Sequence, residues 1–352
     1  MLQKLIDKIT KAKNESLPFV VYNKPNSEEV SAFFQQNNQL IYQTNFEEPG
    51  FIFAPFDNYQ PSIIFQSNKC EIYQTDFDNK SLIELSTKTS LDLIINVDTA
   101  KNNHVLLVEK GIDFLNQNNA LKVVLSRKEE VNLKNIDVID IFLKLLNQYT
   151  NAFVYLWYHP KVGLWMGASP ETLLIVKHNK FKTMALAGTQ PFKGSLDVCW
   201  GEKEKEEQQI VTDYIINQLT NFDISVSSPF TKKAGSLVHI CTEIEGELIA
   251  KNQLKGIINK LHPTPAICGL PTDKAKNFII ENEDYKREFY TGYLGELNIK
   301  EQSHLFVNLR CMQINKQDAS LYIGGGITKN SNPENEWVET VAKSEVMKRV
   351  LV

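Results

Sequence analysis

Cysteine is scarce and scattered in this chain. Its five thiols, Cys70, Cys199, Cys241, Cys268 and Cys311, are odd in number and form no CxxC pair. That spacing argues against a disulfide framework or a zinc ribbon and fits a reducing compartment. The six histidines contain no HExxH arrangement, which removes the helical zinc-hydrolase pattern. No apolar run approaches 18 residues, so no membrane-crossing helix is expected. The N-terminal segment lacks the continuous apolar stretch of a signal peptide. Leu2, Leu5, Ile6 and Ile9 are spaced instead along one face of a short amphipathic helix. Basic residues are not in excess: 38 Lys and Arg stand against 42 Asp and Glu, a formal charge of −4. Nucleic acid is therefore not an expected partner. Repeats, low-complexity tracts and obvious linkers are also missing. A soluble, cytoplasmic protein is expected.

What is present suits a large folded unit. Apolar residues make up 42% of the 352, enough for a sizeable core, and the length allows two domains or one large one. Residues 19–75 read as short strands at Phe19–Tyr22, Leu40–Thr44, Phe51–Ala54, Ser62–Gln66 and Glu71–Thr75. A helix over about 99–116 precedes the strand Leu121–Ser126. A second helix, over about 137–149, turns Val138, Ile141, Phe142, Leu145 and Tyr149 inward. Strands at Phe153–Tyr158, Leu164–Gly167, Thr172–Lys177 and Lys180–Ala187 follow without intervening helices. The remainder alternates: helix 203–219, strand 237–240, helices near 250–260 and 273–282, and strands 304–314 and 320–327. The last helix starts at Pro333 with Asn332 as cap. Consecutive strands point to largely antiparallel sheets and an α+β class.

Two glutamate pairs share one spacing near the start of two of these helices. Glu204 and Glu207 continue the stripe Val211, Tyr214; Glu336 and Glu339 continue Lys343, Val346. Positions i, i+3, i+7 and i+10 lie on one helix face, here predicted to turn toward the core. Buried carboxylates without a counter-charge are costly. A hard cation such as Mg²⁺ would neutralise both pairs at once. For the first pair a solvated charge run, Glu202 to Glu207 with Lys203 and Lys205, remains the alternative.

Other charges sit where apolar residues would be expected. Lys122 interrupts the run Leu121 to Leu125, either as an edge or snorkelling lysine or as a buried amine able to act as a base. Glu171 follows the small-residue bend Gly167-Ala168-Ser169-Pro170, either as an exposed turn residue or as an acid whose pKa burial raises. Arg310 lies inside the predicted strand 304–314, either in a structural ion pair or as a fork for a substrate carboxylate. Gly324-Gly325-Gly326 matches neither GxGxxG nor the P-loop pattern, which discounts a nucleotide site, but its backbone N–H groups could approach an anion closely. Ala187-Gly188-Thr189 could do the same. His262, in the stiff stretch His262-Pro263-Thr264-Pro265, reads as structural, whereas His239 could face a site.

In this order the pieces resemble the chorismate-utilising enzymes: isochorismate synthases, salicylate synthases, and the large subunits of anthranilate and aminodeoxychorismate synthases. The resemblance covers about residues 100–352. It is carried by Lys122–Arg127, Ala168–Glu171, Leu186–Thr189, Glu202–Val211, Leu261–Ala266, Arg310, Gly324–Gly326 and Glu336–Glu339 with Lys343. It implies large antiparallel sheets packed face to face with helices outside, in one domain over 1–352. Residues 1–98 would be its variable N-terminal part and 99–352 its catalytic portion. It also implies a single Mg²⁺ with Glu207 and Glu339 as direct ligands and Glu204 and Glu336 reaching the ion through water. Arg310 and Lys343 match carboxylate contacts, while Ala187, Gly188, Thr189, His239, Tyr290, Gly324 and Gly325 fall at substrate positions. Lys122 matches the lysine that activates water, and Glu171 the acid at the C4 hydroxyl.

The resemblance also bears on the nucleophile. Relatives that use ammonia typically carry Gln at the position of Lys122, and the aminodeoxychorismate branch has a reactive lysine at that of Ala187. The chain is short for a fused amidotransferase, and no amidotransferase subunit is expected. Salicylate synthases tend to carry Thr at the position of Ala266. The expectation is therefore an isochorismate synthase, an isomerase serving menaquinone or siderophore biosynthesis, acting on a small molecule as a monomer. A salicylate synthase and a non-catalytic chorismate- or partner-binding relative are the alternatives. Gln208 and Glu243 depart from the family pattern, which commonly has His and Pro there.

Overall fold

The computed structural model describes residues 2–77, 91–93, 97–133, 137–234, 237–250 and 252–352. In chain order it comprises α1 (Leu2–Asn14), β1 (Phe19–Asn23), β2 (Glu29–Gln35), β3 (Gly50–Ala54), β4 (Ile63–Gln66), β5 (Cys70–Asp76), β6 (Leu91–Leu93), α2 (Val97–Asn116) and β7 (Lys122–Leu133). Next come α3 (Val138–Gln148), β8 (Phe153–His159), β9 (Gly163–Ser169), β10 (Thr172–Lys177), β11 (Lys180–Pro191) and α4 (Glu202–Gln218). Then follow β12 (Ile224–Val226), β13 (Phe230–Ala234), β14 (Leu237–Glu247), α5 (Gln253–Leu261), β15 (Gly269–Leu270) and α6 (Thr272–Asn282). The chain closes with β16 (Tyr293–Ile299), β17 (Gln302–Val307), β18 (Cys311–Ile314), β19 (Asp318–Ile327) and α7 (Pro333–Leu351). Among the described residues no helix is long and apolar enough to cross a membrane.

The strands form two sheets. The ten-stranded one runs β15-β7-β19-β18-β9-β8-β1-β2-β5 with β6 also on β7, and the nine-stranded one runs β12-β14-β11-β10-β17-β16-β3-β4 with β13 also on β14. The early strands β1, β2 and β5 continue the first sheet beyond β8, and β3 and β4 continue the second beyond β16. The described strands between residues 19 and 76 are thus built into the same two sheets as the rest. The pairings are antiparallel, as consecutive strands predicted.

Aromatic side chains fill the space between the sheets. Phe53 stacks on Phe289 at 4.1 Å, Phe153 on Phe306 at 4.3 Å and Phe65 on Trp157 at 5.4 Å between ring centroids. Such pairs add roughly 0.5–1.5 kcal/mol each beyond area burial. Helices α1, α3 and α7 cover the outer face of the first sheet; α4 and α5 cover the second. The cap read from sequence is present: the Asn332 side chain accepts from Asn335 N–H at 3.0 Å; Asp137, not singled out from the sequence, accepts from Ile139 N–H at 2.9 Å.

Several expectations need correction. Leu40–Thr44 is not a strand, since it makes only the isolated bridge Tyr42 to Ile63. Strands β2, β6, β12, β13, β15 and β16 were not anticipated. The predicted strand 304–314 is two strands in different sheets, broken at Asn308–Arg310 where Arg310 adopts a φ of +48°. Arg310 is therefore a crossover residue, not a strand residue. The core face of α7 is Trp337, Thr340, Ser344 and Met347, and that of α4 includes Gln208, Val211 and Ile215. The glutamates border these faces and do not lie on them.

Candidate active site

One cavity of about 340 Å³ collects nearly all the residues singled out above. β7 brings Lys122, β11 brings Ala187, Gly188 and Thr189, β14 brings His239, and β19 brings Gly324. Helix α4 contributes Glu204 and Glu207, and α7 contributes Glu336, Glu339 and Lys343. Glu171, Tyr290 and Arg310 reach it from the connections between elements. Gly325 does not line the cavity, but a Cβ there would stand 3.4 Å from Glu336 Oε2 and 3.9 Å from Glu339 Oε1. It thus lies beside both carboxylates. His262 is elsewhere, its Nε2 3.2 Å from the Pro55 carbonyl.

Lys122 is 6% exposed and its ammonium sits 2.5 Å from Glu207 Oε1. β15 pairs with β7 at this point, so the lysine is not on an open sheet edge. Glu171 is also buried, at 8% exposure, and burial pushes its pKa up to about 7 against the pull of the Lys122 and Lys232 charges. One titratable acid and one amine therefore face a common space. Burying a carboxyl disfavours its charged form, and that alone moves Glu171 into the range where it can give up a proton near neutrality.

The other charges are arranged around this pair. Lys343 Nζ lies 2.6 Å from Glu339 Oε1 and donates to the Gly324 carbonyl at 3.0 Å. The Arg310 guanidinium, whose pKa burial lowers, donates to the Lys343 carbonyl in a long contact of 3.5 Å. Most of its fork is left for a ligand. His239 is held well below its ordinary pKa, at about 4, chiefly by burial. Its Nδ1 meets the Gly188 carbonyl at 2.9 Å, so the neutral ring donates there and keeps Nε2 as an acceptor. Gly188 itself has φ +67° at a register shift of β11, and a Cβ would come within 3.1 Å of Glu204 Cβ. This bulge lets α4 approach the sheet.

Four carboxylates at one cavity are a hard-oxygen donor set that suits a divalent cation. Among the described residues no group of three His, Cys, Asp or Glu side chains already stands in ligating arrangement. Glu207 and Glu339 are turned to lysines instead. The donor chemistry fits a metal, and the lysines balance the same carboxylates without one.

Gly326 was missed. A Cβ there would meet Lys122 Cε at 2.7 Å and Nζ at 3.2 Å. The signal was in the sequence: on a strand Gly324 shares its face with Gly326, not with Gly325. Gln208, one residue after Glu207, is buried and donates to Thr212 and Thr242 at 2.8 and 2.7 Å. It ties α4 to β14. Glu243 pairs with Lys182 at 2.6 Å, away from the cavity.

The chorismate binding enzyme family is matched over residues 62–352. A putative isochorismate synthase of Aeromonas hydrophila is 30% identical over 239 residues, 64% of this chain and 60% of that protein. Anthranilate synthase component 1 of Saccharolobus solfataricus is 27% identical over 265 residues, 71% of this chain and 62% of that protein. The aligned part thus spans about three fifths of these relatives' own length. The crystal structure of a putative 2,3-dihydroxybenzoate-specific isochorismate synthase, DhbC from Bacillus anthracis, superposes with a TM-score of 0.79 at 21% identity, covering 96% of each chain. It has the same fold.

Proposed function

Since the chain belongs to the chorismate-binding enzyme family, we propose that it is an isochorismate synthase: it adds water at C2 of chorismate and expels the C4 hydroxyl. The observation that carries this reading is the buried pair of Lys122 and Glu171 on one cavity, with Glu171 poised at about 7. A lysine base suits water as nucleophile. In the working state Lys122 is the neutral amine and takes a proton from water as its oxygen bonds to C2. Both ring double bonds shift, the C4–O bond breaks, and protonated Glu171 gives its proton to the leaving hydroxyl. Water enters and water leaves, so the net change is an isomerisation. Proton exchange with solvent then resets both residues.

Arg310 and Lys343 would hold substrate carboxylates, the backbone at Gly188 and Gly325 would meet the substrate, and Tyr290, Ala187, Thr189, His239 and Gly324 would shape its seat. Mg²⁺ is the cofactor of this reading, held by Glu207 and Glu339 with Glu204 and Glu336 through water. When bound it would supply positive charge that neutralises and orients a substrate carboxylate. The same reading takes residues 1–352 as one chorismate-binding unit, monomeric and cytoplasmic, serving menaquinone or siderophore synthesis. Strands from 19–76 lying within both sheets support the single unit.

The test is purified protein with chorismate, with and without Mg²⁺, products separated and pyruvate assayed in parallel. Isochorismate without pyruvate is expected, and only with Mg²⁺. Salicylate with stoichiometric pyruvate would replace this reading by a salicylate synthase, and no conversion by a non-catalytic relative. A companion expectation concerns Gly326→Ala. The new methyl must displace Lys122, and misplacing a catalytic group by about 1 Å can cost on the order of a hundredfold. Turnover near that of the unaltered protein, with normal melting, would remove Lys122 from the mechanism.

A further inference from the structure

Arg127 lies outside the cavity, yet it joins the strand that carries Lys122 to the helix that carries Glu336 and Glu339. Its Nε donates to Thr340 Oγ1 at 2.9 Å, and its guanidinium packs over the Trp337 ring at 4.5 Å. Nη1 donates to Glu129 Oε2 at 2.7 Å, and the other oxygen of Glu129 pairs with Lys348 of α7 at 2.6 Å. The helix is thus pinned to β7 at two heights. Trp337 and Thr340 each follow one of the glutamates by a single position, which is about 100° around the helix. Whatever fixes the rotation of the buried pair fixes that of the carboxylates beside it.

Stability alone does not explain the unpartnered polar atoms of this cluster. Arg127 is 8% exposed, its Nη2 has no partner among the described residues, and neither ring nitrogen of the buried His104 beside it has one. Burial and then the Arg127 charge hold His104 at a pKa of about 4, so the ring stays neutral and adds no second positive charge. Apolar residues of similar volume often pack such a site at equal or greater stability. What they lack is direction. A guanidinium bonded to Thr340 sets the turn of α7 to within a hydrogen bond's tolerance, and Mg²⁺ demands near-ideal ligand geometry.

We infer that Arg127, through Thr340 and Trp337, is a positioning residue for the Glu336 and Glu339 carboxylates. This rests on the metal reading given above. The test titrates Mn²⁺, as a probe of the divalent site, into the folded protein while free ion is followed by electron paramagnetic resonance. Arg127→Met should weaken Mn²⁺ binding about tenfold or more, the scale seen when groups behind metal ligands are removed. Thr340→Val should weaken it in the same direction, while Thr340→Ser, which keeps the hydroxyl, should bind as the unaltered protein does. The threonine pair decides the matter if Arg127→Met fails to fold. A lowered melting temperature with unchanged Mn²⁺ affinity in Arg127→Met or Thr340→Val would make the cluster merely structural and overturn the inference alone. Absence of Mn²⁺ binding by the unaltered protein would overturn the metal reading and the inference together.

Discussion

Lys122→Ala and Glu171→Gln are each expected to lower the turnover of chorismate by about 10² to 10⁴, the usual contribution of a positioned general acid or base. The two variants fail for opposite reasons. Without Lys122 the amine assigned to accept the proton of the attacking water is gone; with glutamine at 171 the leaving hydroxyl receives none. Glu171→Gln is the cleaner of the two. Its carboxyl is buried and pushed up to about 7 from 4.5, so ionising it in the folded state is unfavourable. A carboxylate raised in this way contributes stability that is complete below 4.5 and is lost as pH rises through about 7. The neutral isostere escapes that loss. Glu171→Gln should therefore melt at or above the unaltered protein at pH 8 while remaining almost inactive. The pH profile carries the same signature: kcat/KM should fall above about 7 as Glu171 loses its proton, and the residual activity of the variant should lack that limb. Near-normal turnover in either variant would sink the assignment.

Glu339→Ala is expected to abolish Mg²⁺-stimulated turnover, and chelation of the unaltered protein to do the same. Charge stabilisation by a divalent ion is worth several kcal/mol, on the order of a thousandfold in rate. The structure adds a second half to this expectation. Glu339 and Glu207 each hold a lysine at 2.6 and 2.5 Å, so the carboxylates are balanced by charge on the chain itself. Chelation should stop the chemistry and leave melting nearly unchanged. Retained Mg²⁺-dependent activity in Glu339→Ala would count against its role as a ligand. Collapse of the fold on chelation would show that the lysines do not neutralise the site.

Much of the architecture was legible because its periodicity is local. The helices α2, α3, α4 and α7 show their apolar spacing within a few turns, α7 its cap as well, and long runs of adjacent strands imply antiparallel sheets. β2 escaped because Glu29 and Ser31 dilute its apolar character, although its partners β1 and β5 leave all but Glu29 buried. The break at Asn308–Arg310 escaped for the converse reason. Both flanks are good strand sequence, and only the crossing from one sheet to the other parts them. The Asn308 side chain, tied to Tyr155 at 2.8 Å and to the Phe289 carbonyl at 2.9 Å, fixes that crossing.

The residue types at the site were determined by the sequence alone: Lys122 stands where its strand pattern calls for an apolar residue, two helices carry glutamates at one spacing, and burial of charge demands a purpose. Their spacing within each element could be read as well, since helix and strand periods are local geometry. What tertiary structure alone decided is which groups meet. The carboxylates of α4 and α7 lie more than a hundred residues apart, and their approach to Lys122 depends on how two sheets and two helices pack. The pKa of Glu171 is likewise a property of its surroundings, because desolvation comes from every neighbour at once. The grip of Arg127 on α7 belongs to the same class. No local pattern announces a contact between residues 127 and 340, because that distance is set by packing across the sheet.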